Sequence, residues 1–346
     1  MKRHMTLPDS TRMNSEPLVR LMTVEPFLSY VRSRGVDTRS AFRSMGLTER
    51  EVGDPNRLVH AEVVYGLTNN LAAAAKDPYF GVSVGEDFDV MSWPHWADAV
   101  RKSRTLSGIL IQIIESTKKL SSAVSHTLEV TAQSTTYRAD RLSTGGNSCG
   151  QVDGFGLATY LRLFGHMEPL DWSPTDVRYE TATPMAIPPN YKGIVVSRTE
   201  PGTVKLIFPT TWLHNPVNRF SKTRPKEALE LETPSIALAV KNVASEILAI
   251  DKGDMKSTVA SRLGLSTSDL DIALKNVGTT FNKVMLAHRL EIAKSALSGT
   301  DDEIAGIGTK LGFANAANFT RFFKSQTGVT PREYRKSFAM GKAPHS

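Results

Sequence analysis

A single cysteine, Cys149, occurs in the 346 residues. It excludes an internal disulfide framework and fits a reducing cytoplasm. It lies in the stretch GGNSCGQ, where a redox switch and a thiol without a task are both open readings, and the sequence shows no basic or helix-terminal setting to activate it. Long apolar runs are missing too: Gly108 to Ile114 falls far short of the eighteen residues a membrane span requires. The N-terminal stretch MKRHMTLPDSTRMNSEP has basic residues but no apolar segment, so it reads as a disordered tail over residues 1–16 rather than a secretory leader. No phosphate loop and no Ser/His/Asp arrangement stands out. His126 and His166 lack metal-ligand spacing with each other or with Cys149. No catalytic residue, metal or cofactor is therefore expected, and no membrane partner.

What the chain does have is length and positive charge. With 40% hydrophobic residues it can bury two cores, and domain-size priors favour two or three domains. The net charge of +7 suits a polyanionic partner. From about Pro17 to Phe220 the pattern is mixed α/β. Leu18–Arg34, Arg39–Met45 and Ala61–Lys76 read as helices, the last ended by Asp77-Pro78, because proline forbids continuation. A helix is predicted from Leu106 to Val124 and another from Val152 to Phe164. Between them the period falls to two, so Thr127–Thr131 and Thr135–Arg141 read as antiparallel strands. Val177–Thr181, Ile194–Arg198 and Val204–Phe208 complete the strands, with Glu200-Pro201-Gly202 as a turn.

The last hundred residues carry two successive segments of one plan, two helices joined by a tight turn. In the second segment, Ile304, Ile307 and Leu311 share one helical face, Gly312 ends the helix, and Phe313 folds back as a plug. A second helix starts near Asn315, with Phe319, Phe322 and Phe323 apolar and Asn315, Asn318, Arg321 and Lys324 facing elsewhere. Gly328 closes it, and Thr330-Pro331 begins another. A helix carrying amides and guanidinium, propped on a neighbour, fits a DNA major groove, although an ordinary solvated helix face has the same pattern. From residue 310 to the end, seven basic residues stand against Glu333 alone, which phosphate neutralisation explains.

This segment resembles the AraC/XylS family of bacterial transcription regulators. Ile304, Ala305, Gly312, Phe313, Phe319, Arg321, Phe323, Lys324, Gly328, Thr330, Pro331, Tyr334 and Arg335 fall in register with the family signature. The likeness continues upstream through Val259–Ser266, Leu270, Gly278–Phe281 and Arg289-Leu290, covering roughly residues 234–338. It implies an α+β protein: a disordered tail 1–16, a mixed α/β effector-binding or dimerisation domain 17–220, a linker 221–233, an all-α double helix-turn-helix domain 234–338, and a tail 339–346. The basic, proline-containing stretch Ser221–Lys226 suits the linker, and Ser235–Ile250 reads as the opening helix of the second domain. The family also implies a cytoplasmic, sequence-specific regulator, an activator that acts on double-stranded DNA together with RNA polymerase, with a small-molecule effector and homodimerisation. The helices Leu106–Val124 and Val152–Phe164 are candidate dimer faces. An architectural DNA binder and a DNA-modifying enzyme are the competing classes.

Within the second segment Asn315, Asn318 and Arg321 are the expected base-facing residues, and Lys324, Arg332 and Arg335 are phosphate neighbours or helix-end charges. The first segment is different. Six basic residues between 254 and 300 face Asp254, Asp269, Asp271 and Glu291, and Ile272 stands where relatives usually carry arginine. This segment is expected to act mainly through Ser268, Lys275 and shape; Asp269 and Asp271 either accept from cytosine or favour a helix dipole. In the N-terminal part, Asp77–Gly81, Ser103–Leu106 and Trp212–Pro216 resemble more loosely the sensing domain of one branch of the family. Where that branch has a glycine-rich approach, this chain has Met91-Ser92-Trp93-Pro94-His95-Trp96, so Trp93, His95 and Trp96 are either a ligand-pocket edge or plain core. Arg39 and Arg43 can clamp an anion or belong to a salt-bridged surface with Asp37 and Glu49.

Overall fold

The computed structural model describes residues 16–142, 148–167, 172–217, 231–248 and 254–339. All but one residue of each predicted tail and most of the predicted linker lie outside these residues. The chain divides into two compact units, Met1–Ser235 and Ile236–Ser346. The first mixes helices and sheet and the second is helical, as the α+β expectation has it.

The first unit opens with β1 (Leu18–Arg20), α1 (Glu25–Ser33), α2 (Arg39–Arg43), α3 (Glu49–Val52) and β2 (Leu58–His60). Next come α4 (Ala61–Ala75), α5 (Phe80–Asp87), α6 (Pro94–Lys102) and α7 (Leu106–Leu120). β3 (Val124–Val130), β4 (Ser134–Arg141), α8 (Gly150–Phe164), β5 (Arg178–Thr181), β6 (Val195–Arg198) and β7 (Thr203–Pro209) complete it. The continuous helix expected from Leu18 to Arg34 is corrected: Leu18–Arg20 is a strand paired antiparallel with β2. Pairing with a partner forty residues away overrides local propensity there. The helix expected to reach Val124 stops at Leu120, and Val124 already belongs to β3.

Five strands form one sheet in the order β3-β4-β7-β5-β6. β4 shows the alternation the period-two pattern predicts, with Thr135, Tyr137 and Ala139 buried and Arg138 and Asp140 on the outer face. The turn at Glu200–Gly202 joins β6 to β7, yet these strands are not neighbours. β5 lies between them, antiparallel to β7 and parallel to β6. α8 separates two apolar cores. One core holds Phe27, Phe42, Leu67 and Phe80, and the other holds Leu110, Tyr137, Phe164, Phe208 and Trp212.

α5 and α8 approach so closely that a Cβ built at Gly81 would lie 1.8 Å from the Gln151 carbonyl oxygen. Gln151 fixes the contact, its Oε1 accepting from Gly81 N at 2.7 Å and its Nε2 donating to the Pro78 carbonyl at 3.2 Å. Cys149 turns out to be the N-cap of α8. The helix-terminal setting that the sequence concealed does not activate it, because burial pushes the thiol up to about 11.

Arg20 is fully buried and gathers three carbonyls from distant segments: Lys119 at 2.9 Å, Pro55 at 2.7 Å and Glu232 at 2.6 Å. Burial lowers its pKa, with Glu232 and Asp54 opposing. Its guanidinium fork matches such a set of acceptors, and the three bonds compensate for its desolvation.

The second unit consists of α9 (Ile236–Ile247), α10 (Met255–Leu263), α11 (Thr267–Asn276), α12 (Phe281–Gly299), α13 (Ile304–Lys310), α14 (Ala316–Thr327) and α15 (Pro331–Ala339). α9 buries Ile236, Val240, Val243 and Ile247, the predicted stripe, and packs against α10, α11 and α12. α12 runs from this first helical group to the second, where Ala293, Leu297, Ile307, Leu311, Phe319 and Phe323 form a separate core.

Candidate nucleic-acid interface

α13 ends at Lys310 with Leu311 as its C-cap, and Gly312 takes the left-handed conformation, φ 79°, that releases the chain into a tight turn. Phe313 N bonds back to the Gly308 carbonyl at 3.0 Å, and the ring folds onto Phe319 and Phe322 with centroids at 5.5 and 4.9 Å. Asn315 caps α14 by accepting from Asn318 N at 2.8 Å. Phe319 and Phe323 are fully buried, which fixes the helix's rotation. Gly328, at φ 78°, ends α14; Thr330 and Glu333 then form a reciprocal cap on α15, with Thr330 N donating to Glu333 Oε2 at 2.8 Å.

This rotation places Arg321 opposite the two buried phenylalanines, where it is exposed. Its Nη2 donates to Asn318 Oδ1 at 2.6 Å, so the two residues are neighbours on one face. The Asn315 Oδ1 is committed to the cap, leaving its amide nitrogen to face outward. Lys324 and Arg332 are exposed. Arg335 is turned inward: it is half-buried, donates to the Asp302 carbonyl at 2.6 Å, and buries Nε without a hydrogen-bond partner. Ala317 and Ser325 flank Arg321 at four-residue spacing and are also exposed. Neither has a charge or amide to mark it in the sequence, but their position follows from the spacing of Phe319 and Phe323.

The second unit's cations fall into two sets. Lys241 pairs with Glu291 at 2.8 Å, Arg262 with Glu246 at 2.7 Å, Lys310 with Asp302 at 2.8 Å, and Lys256 with Asp271. Among the described residues Lys275, Lys283, Lys294, Arg321, Lys324, Arg332 and Lys336 have no carboxylate in ion-pair range, although all are exposed, and Arg289 and Arg335 are half-buried. Cations without internal partners are the ones available to phosphates.

The first helix pair is built the same way. Gly264 at φ 77° ends α10, and Ser266 caps α11, accepting from Asp269 N at 3.1 Å and donating to Asp269 Oδ2 at 2.6 Å. Asp269 therefore belongs to the helix start and Asp271 to Lys256. Leu270, Ala273 and Leu274 are buried, while Ser268, Ile272 and Lys275 are exposed on the opposite face.

In the first unit the Trp93–Trp96 stretch forms the start of α6, with Pro94 at its first position. Trp96 is a core residue against Tyr160, its ring 5.4 Å away, and Trp93 meets Phe88 edge-on at 5.8 Å. His95 is buried, and burial, helped by Lys119 and Arg20, holds its pKa below the ordinary histidine value. Trp93 Nε1 and His95 Nε2 are buried without a hydrogen-bond partner. Arg39 pairs with Asp37 at 2.7 Å in full solvent, and Arg32 takes Glu49 at 2.8 Å. The described residues contain no group of three metal-ligating side chains, and none of their helices is long and apolar enough to cross a membrane.

Residues 35–217, more than half of the chain, match the arabinose-binding N-terminal domain of AraC transcription regulators, and residues 259–337 match a helix-turn-helix domain. An HTH-type transcriptional regulator of Bacillus subtilis, YtdP, is 33% identical over 102 residues, which are 28% of this chain and 13% of that protein. One from Staphylococcus aureus, SACOL0084, is 36% identical over 80 residues, 23% of this chain and 11% of its own length. The matched stretch thus spans little more than a tenth of each of these curated relatives. Solved structures with partial likeness include the transcriptional regulator CdpR from Pseudomonas aeruginosa, with TM-score 0.36 and 14% identity over 86% of this chain and 96% of that one. A DNA-binding transcriptional dual regulator from Escherichia coli K-12 gives TM-score 0.29 and 23% identity, covering 33% and 99%. With an N-terminal domain of the arabinose-binding type over more than half of the chain and a helix-turn-helix domain behind it, the protein belongs to the AraC family of transcription regulators.

Proposed function

We propose that the chain is a sequence-specific DNA-binding regulator in which α14 enters the major groove and Arg321 reads a base. The observation that carries this reading is the exposed guanidinium opposite Phe319 and Phe323, held by Asn318 and free of any acidic partner among the described residues. A bidentate arginine suits guanine O6 and N7. Asn318 both orients Arg321 and offers its amide to an adjacent base edge, and Asn315 reaches the groove only through its amide nitrogen. Lys324, Arg332 and, on the first pair, Ser268 and Lys275 hold the backbone phosphates that set register. Arg335 acts through packing α15 onto the Asp302 turn.

The N-terminal unit is read as the effector-responsive, dimer-forming part of a cytoplasmic regulator that works with RNA polymerase and has no enzymatic role. Support for an effector contact at Trp93, His95 and Trp96 comes from the two buried ring nitrogens that lack partners. As a dimer face α7 is favoured over α8, because α8 is enclosed between two cores while α7 exposes Ile111. A thermal-shift screen of metabolites against the full chain, repeated with Trp93→Phe, tests the effector assignment.

The DNA assignment is tested by enriching a duplex from a random pool with the full-length chain and measuring affinity at fixed salt, with scrambled duplex as competitor. Arg321→Ala is expected to weaken binding by about 1–3 kcal/mol. Unchanged affinity removes Arg321 from base reading. Equal binding of enriched and scrambled duplex leaves only the architectural alternative.

A further inference from the structure

The outer face of α11 contains an unusual choice. Ser268, Ile272 and Lys275 lie within one narrow stripe opposite the buried Leu270, Ala273 and Leu274, and Ile272, in the middle, is 57% exposed. No other large hydrophobic residue described in the second unit is as exposed. The charged residues nearby are already engaged: Asp269 closes the helix cap with Ser266, and Asp271 pairs with Lys256. Both carboxylates thus have partners within the protein, and Asp271 has its charge paired by Lys256. The centre of this helix is therefore an aliphatic side chain flanked by a hydroxyl and an unpaired ammonium.

Such a surface has a specific complement in the major groove. Only thymine presents an apolar group there, the C5-methyl, and an exposed branched aliphatic side chain gains by covering it. Resting on the DNA-binding reading above, we infer that Ile272 is a specificity-determining residue: it packs on a thymine methyl in the site bound by α11, so the first helix pair reads one base by apolar contact. Lys275, one turn further along, neutralises a phosphate beside it, and Ser268 hydrogen-bonds at the helix start. This adds a base contact to the expectation that the first pair acts mainly through Ser268, Lys275 and shape.

The test is a methyl deletion on the DNA. In the enriched duplex, each thymine is replaced singly by deoxyuridine, which keeps every hydrogen bond and removes only the methyl, and the affinities of wild type, Ile272→Ala and Ile272→Val are measured. Wild type is expected to lose about three- to fivefold at one thymine, the factor that burial of a single carbon group is worth. Ile272→Ala should be indifferent to the methyl at that thymine and unchanged at the others, and Ile272→Val should keep part of the discrimination. Because Ile272 is mostly exposed and lies opposite the buried face of α11, Ile272→Ala is expected to remain folded, and its retained Arg321-dependent specificity serves as the check. A wild-type protein that binds specifically but tolerates deoxyuridine everywhere overturns the inference alone. So does an Ile272→Ala protein with the same deoxyuridine penalty. If Ile272→Ala instead loses self-association or partner-dependent transcription with its methyl dependence intact, the residue docks protein and not DNA. Equal affinity for enriched and scrambled duplex overturns the functional reading together with this one.

Discussion

Asp153 engages four partners at once. One carboxylate oxygen pairs with Arg141, the other accepts from Thr181 at 2.6 Å and Thr183 at 3.2 Å, and its backbone carbonyl accepts from Tyr179 at 2.8 Å. Both members of the ion pair are almost wholly out of solvent. Removing one member of such a pair leaves a buried uncompensated charge, so Asp153→Ala is expected to lower stability by about 3–5 kcal/mol in chemical denaturation. Asp153→Asn, which keeps the hydrogen-bonding shape, leaves Arg141 equally uncompensated and should recover little. None of this cluster was legible in the sequence, because Arg141, Asp153 and Thr181 belong to two strands and a helix that meet only in the fold. Cys149 shows the same limit: its place at a helix start suggests reactivity, and its burial cancels it.

At the scale of elements, helix punctuation was readable and strand partnership was not. Gly312, Asn315, Gly328 and Thr330-Pro331 act as stop and start signals where the sequence puts them, because capping is a local matter of backbone conformation and one side-chain bond. Leu18–Arg20 has the apolar residues of a helix and becomes a strand, since β2 supplies the hydrogen-bond partner. β5 enters between β6 and β7 for an equally non-local reason. The α5–α8 contact depends on a missing side chain, which no periodicity announces. Gly81→Ala forces a methyl into the backbone of Gln151, where nothing flexible can yield. Overpacking of this kind costs about 1–3 kcal/mol or more. Gly156→Ala, on α8 with open space around it, should be neutral or slightly stabilising and serves as the comparison in thermal melts.

Across the whole molecule, charge decides what the chain approaches and pairing decides which charges are available. The net charge of +7 is a property of composition, but in the second unit Lys241, Lys256, Arg262 and Lys310 are committed to carboxylates. If Lys275, Lys324 and Arg332 each neutralise one phosphate, removing any of them should make the slope of log affinity against log salt shallower by about 0.9. Lys310→Ala, which breaks an internal pair, should leave the slope unchanged. A slope equally sensitive to both kinds of substitution would mean that the interface follows net charge rather than placement. The sequence by itself determined the two-part architecture, the double helix-turn-helix plan and the outward amides and cations of α14, because helical periodicity and capping are encoded within a few residues. Only the tertiary structure decided which cations remain unpaired, that Arg335 turns inward, that Asp271 is paired with Lys256 and that Ile272 is exposed between Ser268 and Lys275. Those outcomes depend on side chains brought together across helices, and local pattern contains no record of them.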